Sequence, residues 1–152
     1  MAVTISTITT TTYTTLYGIL TNVSTGLTDT RSPARIRTTW VRSAFPDEYS
    51  TNFAGYPIVT IEVNHDCRLV CIGTSERAAN INGNLKIYAK EAVDVDTLTD
   101  DIINQIYGTG KTTLESAALF SPDLSTTDTQ TVFREKDKIH IRTIPFSFKW
   151  IG

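Results

Sequence analysis

The stretch YPIVTIEV, Tyr56 to Val63, sets Val59, Ile61 and Val63 against Ile58, Thr60 and Glu62, the period of two expected of a strand with one well-buried face. A second extended stretch covers Asp66 to Ile72. A third runs from Asn84 to Lys90 with Leu85, Ile87 and Ala89 on one side, after turn signals over Asn80 to Asn84. The period then changes. From Asp94 to Tyr107 the apolar residues are Val95, Leu98, Ile102, Ile103 and Ile106, which is helical spacing, with Asp94, Asp96 and Thr97 as N-cap candidates. Gly108 reads as the left-handed residue that ends this helix, and Thr112 with Glu115 as a capping box opening a shorter one, about Thr113 to Phe120. The polar stretch SPDLSTTDTQ follows as a loop. At the other end of the chain, Ile5, Ile8, Thr12, Leu16, Ile19 or Leu20, and Val23 recur on one helical face that stops at Gly26. Threonine is a poor helix former, so the alternative is a low-complexity tail ordered only against neighbours, with residues 1–8 as its flexible start.

The closing run KIHIRTIPFSFKWIG contains a change of phase. Ile139 and Ile141 alternate with His140 and Arg142, whereas Ile144, Phe146, Phe148 and Trp150 alternate on the opposite parity. A bulge near Thr143 to Pro145 accounts for the slip, and Pro145 needs an edge or a bulge because it has no N–H. The charged run Arg134, Glu135, Lys136, Asp137, Lys138 predicts a tight hairpin with Thr131 to Phe133. Between the first helix and the first strand, residues 29–56 read as a long aromatic loop. Pro33, Pro46 and Pro57 interrupt regular structure, and a short strand is expected around Thr38 to Arg42. The sum is one α+β domain over residues 1–152, an antiparallel or mixed sheet of about four to five strands flanked by two to three helices.

Composition adds bounds rather than identity. With 152 residues, 40% hydrophobic, 20% charged and a net charge of −2, the chain has the size and balance of one folded domain. It lacks the basic excess that drives phosphate neutralisation. It has no apolar run long enough to span a membrane and no signal-peptide pattern, so a cytoplasm, or a particle built there, is the expected setting. Cys67 and Cys71 stand about 13 Å apart along an extended strand, beyond disulfide reach. His65, Cys67, Cys71 and His140 lack the short paired spacing of zinc ligands, so no metal is expected.

The stretch QIYGTGKTTLE contains the letters that surround a phosphate-loop lysine, but Gln105 occupies the place of the first glycine, and a helix precedes it where the motif needs a strand. It reads as punctuation between helices. The acidic pairs Asp94 with Asp96 and Asp100 with Asp101 belong to the start and solvent face of a helix, and no nucleophile signature is present. No catalytic residue, no cofactor and no enzymatic activity are expected. What remains is association. Trp40, Phe45, Tyr49 and Phe53 are candidate subunit anchors, as large aromatics are where they are buried between chains, with a satellite cluster over the core as the alternative. Arg134, Lys136 and Lys138 of the charged hairpin are candidate partner contacts, against a solvated turn.

The N-terminal helix, the loop WVRSAFPDEY leading to YPIVTIEV, NLKIYAKE running into VDTLTDDIINQIY, and the closing KIHIRTIPFSFKW span most of residues 8–150. In this order they resemble the tail terminator (tail completion, head-to-tail joining) proteins of tailed bacteriophages and related viruses; the threonine-rich start departs from the pattern. The resemblance implies a tail-terminator-like fold and a hexameric ring of this chain at the head-proximal end of the tail tube, in the neck of the virion, assembled in the host cytoplasm. Such a ring stops tube growth and joins the tail to a head connector or stopper. The genome DNA passes through its channel without sequence-specific binding, and no membrane is involved. The alternatives are another neck or tail protein, namely a connector, a stopper or a tube component, or a small ligand-binding α+β domain.

Overall fold

The computed structural model describes residues 4–51, 53–64, 69–71, 76–134 and 137–152. Helix α1 (Ile5–Leu20) is followed by a one-turn helix α2 (Arg37–Trp40), strands β1 (Val41–Arg42), β2 (Ile58–Val63), β3 (Leu69–Cys71) and β4 (Arg77–Ala89), and helix α3 (Ala92–Asn104). A π-helical turn (Gln105–Thr109) leads to α4 (Lys111–Ser116), and β5 (Leu119–Leu124), β6 (Gln130–Arg134) and β7 (Asp137–Ile151) complete the chain. The expected α+β class holds. The seven strands form one mixed sheet in the order β1-β2-β4-β7-β5, with β3 also on β4 and β6 also on β7; β1 runs parallel to β2 and the other pairs are antiparallel.

The first helix forms despite its threonines. Thr4 Oγ1 caps Thr7 N–H, and Thr12 donates its hydroxyl to Ile8 C=O, which satisfies a buried polar atom while its methyl packs inward. Ile8, Leu16, Ile19 and Leu20 enter the main core. The helix starts at Ile5, inside the segment read as a flexible start.

The sheet has seven strands where four to five were expected, Arg37–Trp40 form a helical turn where a strand was expected, and several local readings also need correction. The turn signals at Asn80 to Asn84 lie inside β4, which runs unbroken for 13 residues; Gly83 serves there not as a turn but as the place where the Phe146 ring crosses the sheet, and a Cβ would collide with it. Helix α3 starts at Ala92, before the three predicted caps, and Glu91 makes no side-chain cap bond. Gly108 is not left-handed, since it lies within the π turn. Thr112 and Glu115 sit inside α4, whose N-cap position is Gly110, and the following residues leave the helix early enough for Leu119 to Leu124 to pair as β5.

The phase slip in the last strand has a different origin from a bulge. Pairing of β4 with β7 is continuous from Ala78↔Ile151 to Ala89↔His140. Ile144, Phe146, Phe148 and Trp150 face the main core under α1, α3 and α4, whereas Ile139 and Ile141 face a second cluster on the opposite side of the sheet with Tyr56, Ile58 and Tyr88. One straight strand is thus buried first on one face and then on the other. The register shift lies instead in β5, between Phe120 and Asp123. Pro145 points its backbone towards the stretch between β5 and β6, where Ser125 N–H donates to its C=O, so the missing N–H interrupts no ladder of the central pair.

Candidate interaction site

The second apolar cluster is where segments distant in sequence meet. Phe45 and Phe53 pack on Tyr56, Tyr88 and Ile139, with Phe45 4.7 Å from the Tyr88 ring and Phe53 edge-on to Tyr56 at 5.6 Å. The hairpin of β6 and β7 lies beside them. Arg134 stacks over Phe45 at 4.2 Å and donates to Glu48 Oε1 at 3.2 Å, while the same oxygen accepts from the Tyr56 hydroxyl at 3.0 Å. Burial pushes the Tyr56 hydroxyl far above its ordinary range, and the bond to Glu48 and the Glu48 charge act in the same direction. On the other side of the hairpin, Lys90 pairs with Asp137 at 3.1 Å.

A polar clamp fixes the loop from behind. Asp29 accepts from Arg35 Nε at 2.8 Å, Arg35 Nη2 at 3.1 Å and the backbone N–H groups of Arg31 and Arg35, and the Arg35 guanidinium also donates to the C=O groups of Ala54, Gly55 and Pro57. Burial raises the Asp29 carboxyl, but the Arg35 side-chain bond, the two backbone bonds and the Arg35 charge outweigh it and hold it below its ordinary value.

The predicted anchors therefore fall into different places. Trp40 is 0% exposed in the main core, with Arg35 5.4 Å above its ring, so it presents no surface to a neighbour and is corrected from anchor to core residue. Phe45 and Phe53 are half-buried in the second cluster, which is the satellite-cluster alternative. Tyr49 is 80% exposed on the rim of a shallow groove with Pro46, Asp47, Glu48 and Arg134. Lys138 is exposed, and Lys136 lies outside the described residues, as do Glu135, His65 and Cys67. The aromatic loop and the charged hairpin, read separately in sequence, form one surface. Glu48, Tyr56 and Lys90 join them, through the contacts Glu48–Arg134, Glu48–Tyr56, Lys90–Asp137 and Lys90 over Tyr56, none of which the sequence reading anticipated.

Beyond the second cluster, that side of the sheet carries no helix among the described residues. Its register places Asn80 beside Lys149, Asn82 beside Ser147, Lys86 beside Thr143, Glu62 beside Asn84 and Asp123 beside Ser147. The face is mostly polar, and its charged side chains are Arg42, Lys86 and Lys149 against Glu62 and Asp123. Lys111 opens α4 after the π turn and sits 3.9 Å from Glu115, in a helical context. Among the described residues, no helix is long and apolar enough to cross a membrane and no group of three or more His, Cys, Asp or Glu converges as a metal site. No protein-family model matches the chain, and comparison with curated proteins gives no significant match.

Proposed function

We propose that this chain is a structural virion protein, a tail terminator that assembles as a ring at the head-proximal end of the tail tube, stops tube growth and joins the tail to the head connector. The observation that carries the reading is the two-sided sheet. One face is sealed by three helices, and the other is open and mostly polar along Asn80, Asn82, Asn84, Lys86, Ser147 and Lys149, with acidic Glu62 and Asp123 set among its basic groups. A wall past which a polyanion slides needs a wettable surface without a dense positive charge that would hold phosphates. In the ring this face turns to the channel. Closure into a ring requires a head-to-tail contact, and Tyr49 on the groove rim and Lys138 on the opposite face of the neighbouring hairpin supply exposed groups on a braced base.

The experiment is co-sedimentation with cognate tail tubes. Tyr49→Ala and Lys138→Ala are expected to lower tube-end attachment about tenfold or more together, with an unchanged melting temperature because both side chains are exposed. Attachment equal to wild type would remove both side chains from the interface.

A further inference from the structure

Among the described strands, β1, β3 and β5 carry devices against further pairing. Strand β1 is two residues long and β3 three, and β5 is broken by Pro122, a register shift and a positive φ at Ser121. Strand β6, TVF between Gln130 and Arg134, has no proline, no bulge and no charge before its last residue, and no described strand pairs with its outer side.

The register identifies the free groups. The C=O groups of Thr143 and Pro145 accept from Thr127 and Ser125 on the β5–β6 side, so the odd residues of β7 direct their backbone that way. Gln130, Val132 and Arg134, which face Ile141, Ile139 and Asp137, hence form the hydrogen-bonded pairs, and Thr131 and Phe133 present their N–H and C=O to the outside. Phe133 is also 77% exposed. The hairpin is held in place by the ion pairs Arg134–Glu48 and Lys90–Asp137, so the edge is preformed.

We propose that this edge pairs with β6 of a second copy of the chain, antiparallel and about a two-fold axis. The edge is self-complementary. With Thr131 facing Phe133 of the second copy and Phe133 facing its Thr131, every outward backbone group of the two residues is used on both copies. Val132 then lies across from Val132, an aromatic meets a β-branched residue twice, and Arg134 faces Gln130 instead of a like charge. Any other antiparallel register leaves one outward residue of each strand facing a position beyond β6. The contact does not depend on the ring reading, because a two-fold contact joins two chains and stops, whereas a ring needs a head-to-tail one. Strands this short place it at the small end of interface sizes, so the pair is reversible with concentration.

Sedimentation equilibrium of the full chain over rising concentration, paired with amide exchange by NMR, tests this. Apparent mass should rise from 16.8 kDa towards twice that value, and the amides of Thr131 and Phe133 should slow in step. Thr131→Pro removes the outward N–H together with the side-chain contact to His140, and Phe133→Lys adds an edge charge at an exposed site; each should abolish the rise. A wild type that stays monomeric, a dimer that survives Phe133→Lys, or protection of these amides only when a different protein is added would overturn the proposal.

Discussion

Asp29 and Arg35 show how much of the loop depends on one pair of side chains. Asp29→Ala would leave the Arg35 guanidinium, whose side chain is 11% exposed, without its counter-charge, and a loss of about 3–5 kcal/mol in urea-derived stability is expected. The pH dependence follows in sign. The Asp29 carboxyl is held below its ordinary value in the folded chain, so its contribution is present above the unfolded pKa and disappears as pH falls through the folded one. Acid titration of stability should therefore be shallower in Asp29→Asn than in wild type below about pH 4; parallel curves would show that Asp29 is not linked to folding. Trp40 belongs to the same scale. Buried at 0% exposure, it should cost about 3–5 kcal/mol when changed to alanine, which makes it a probe of the core and not of assembly.

Among the elements, the hairpin of β6 and β7 owes its position to Glu48, which accepts from both Arg134 and Tyr56. Glu48→Ala should speed amide exchange in β6 and at the start of β7 while leaving the central pair β4–β7 protected, with a stability loss of about 1–2 kcal/mol, kept small because Arg134 is partly solvated. Uniform acceleration across the sheet would mean that Glu48 supports the whole fold. The sequence made the regular elements legible from their period: β2 from its alternation, although Ile58 to Ile61 are buried on both faces, α3 from Val95, Leu98 and Ile102, and α1 even through its threonines. It misled where a residue's local habit was overruled by a distant neighbour. The Asn80–Asn84 segment looks like a turn because Asn and Gly favour turns, yet β2 and β7 flank it and Phe146 covers its glycine. The phase slip of β7 was visible, but its cause was not, since a second buried face made by residues 45–57 has no local signature.

At the scale of the whole molecule, a helix-covered sheet keeps one broad polar face free, and an aromatic loop and a hairpin are braced together at one end of it. Of this surface, Tyr49 and Lys138 were readable as candidates, whereas the separation of core Trp40 from rim Tyr49 was not, because both are aromatic residues in one irregular stretch and only packing distinguishes them. That the free face mixes both signs of charge was hinted at by the net charge of −2, but its location required the register. Electron microscopy of cognate tail tubes mixed with the purified chain tests the terminator reading most directly. The account predicts a single six-fold ring of this chain at one tube end, with the Asn80 to Lys86 face turned to the channel. Bare tube ends at saturating protein, or attachment along the tube wall, would contradict it.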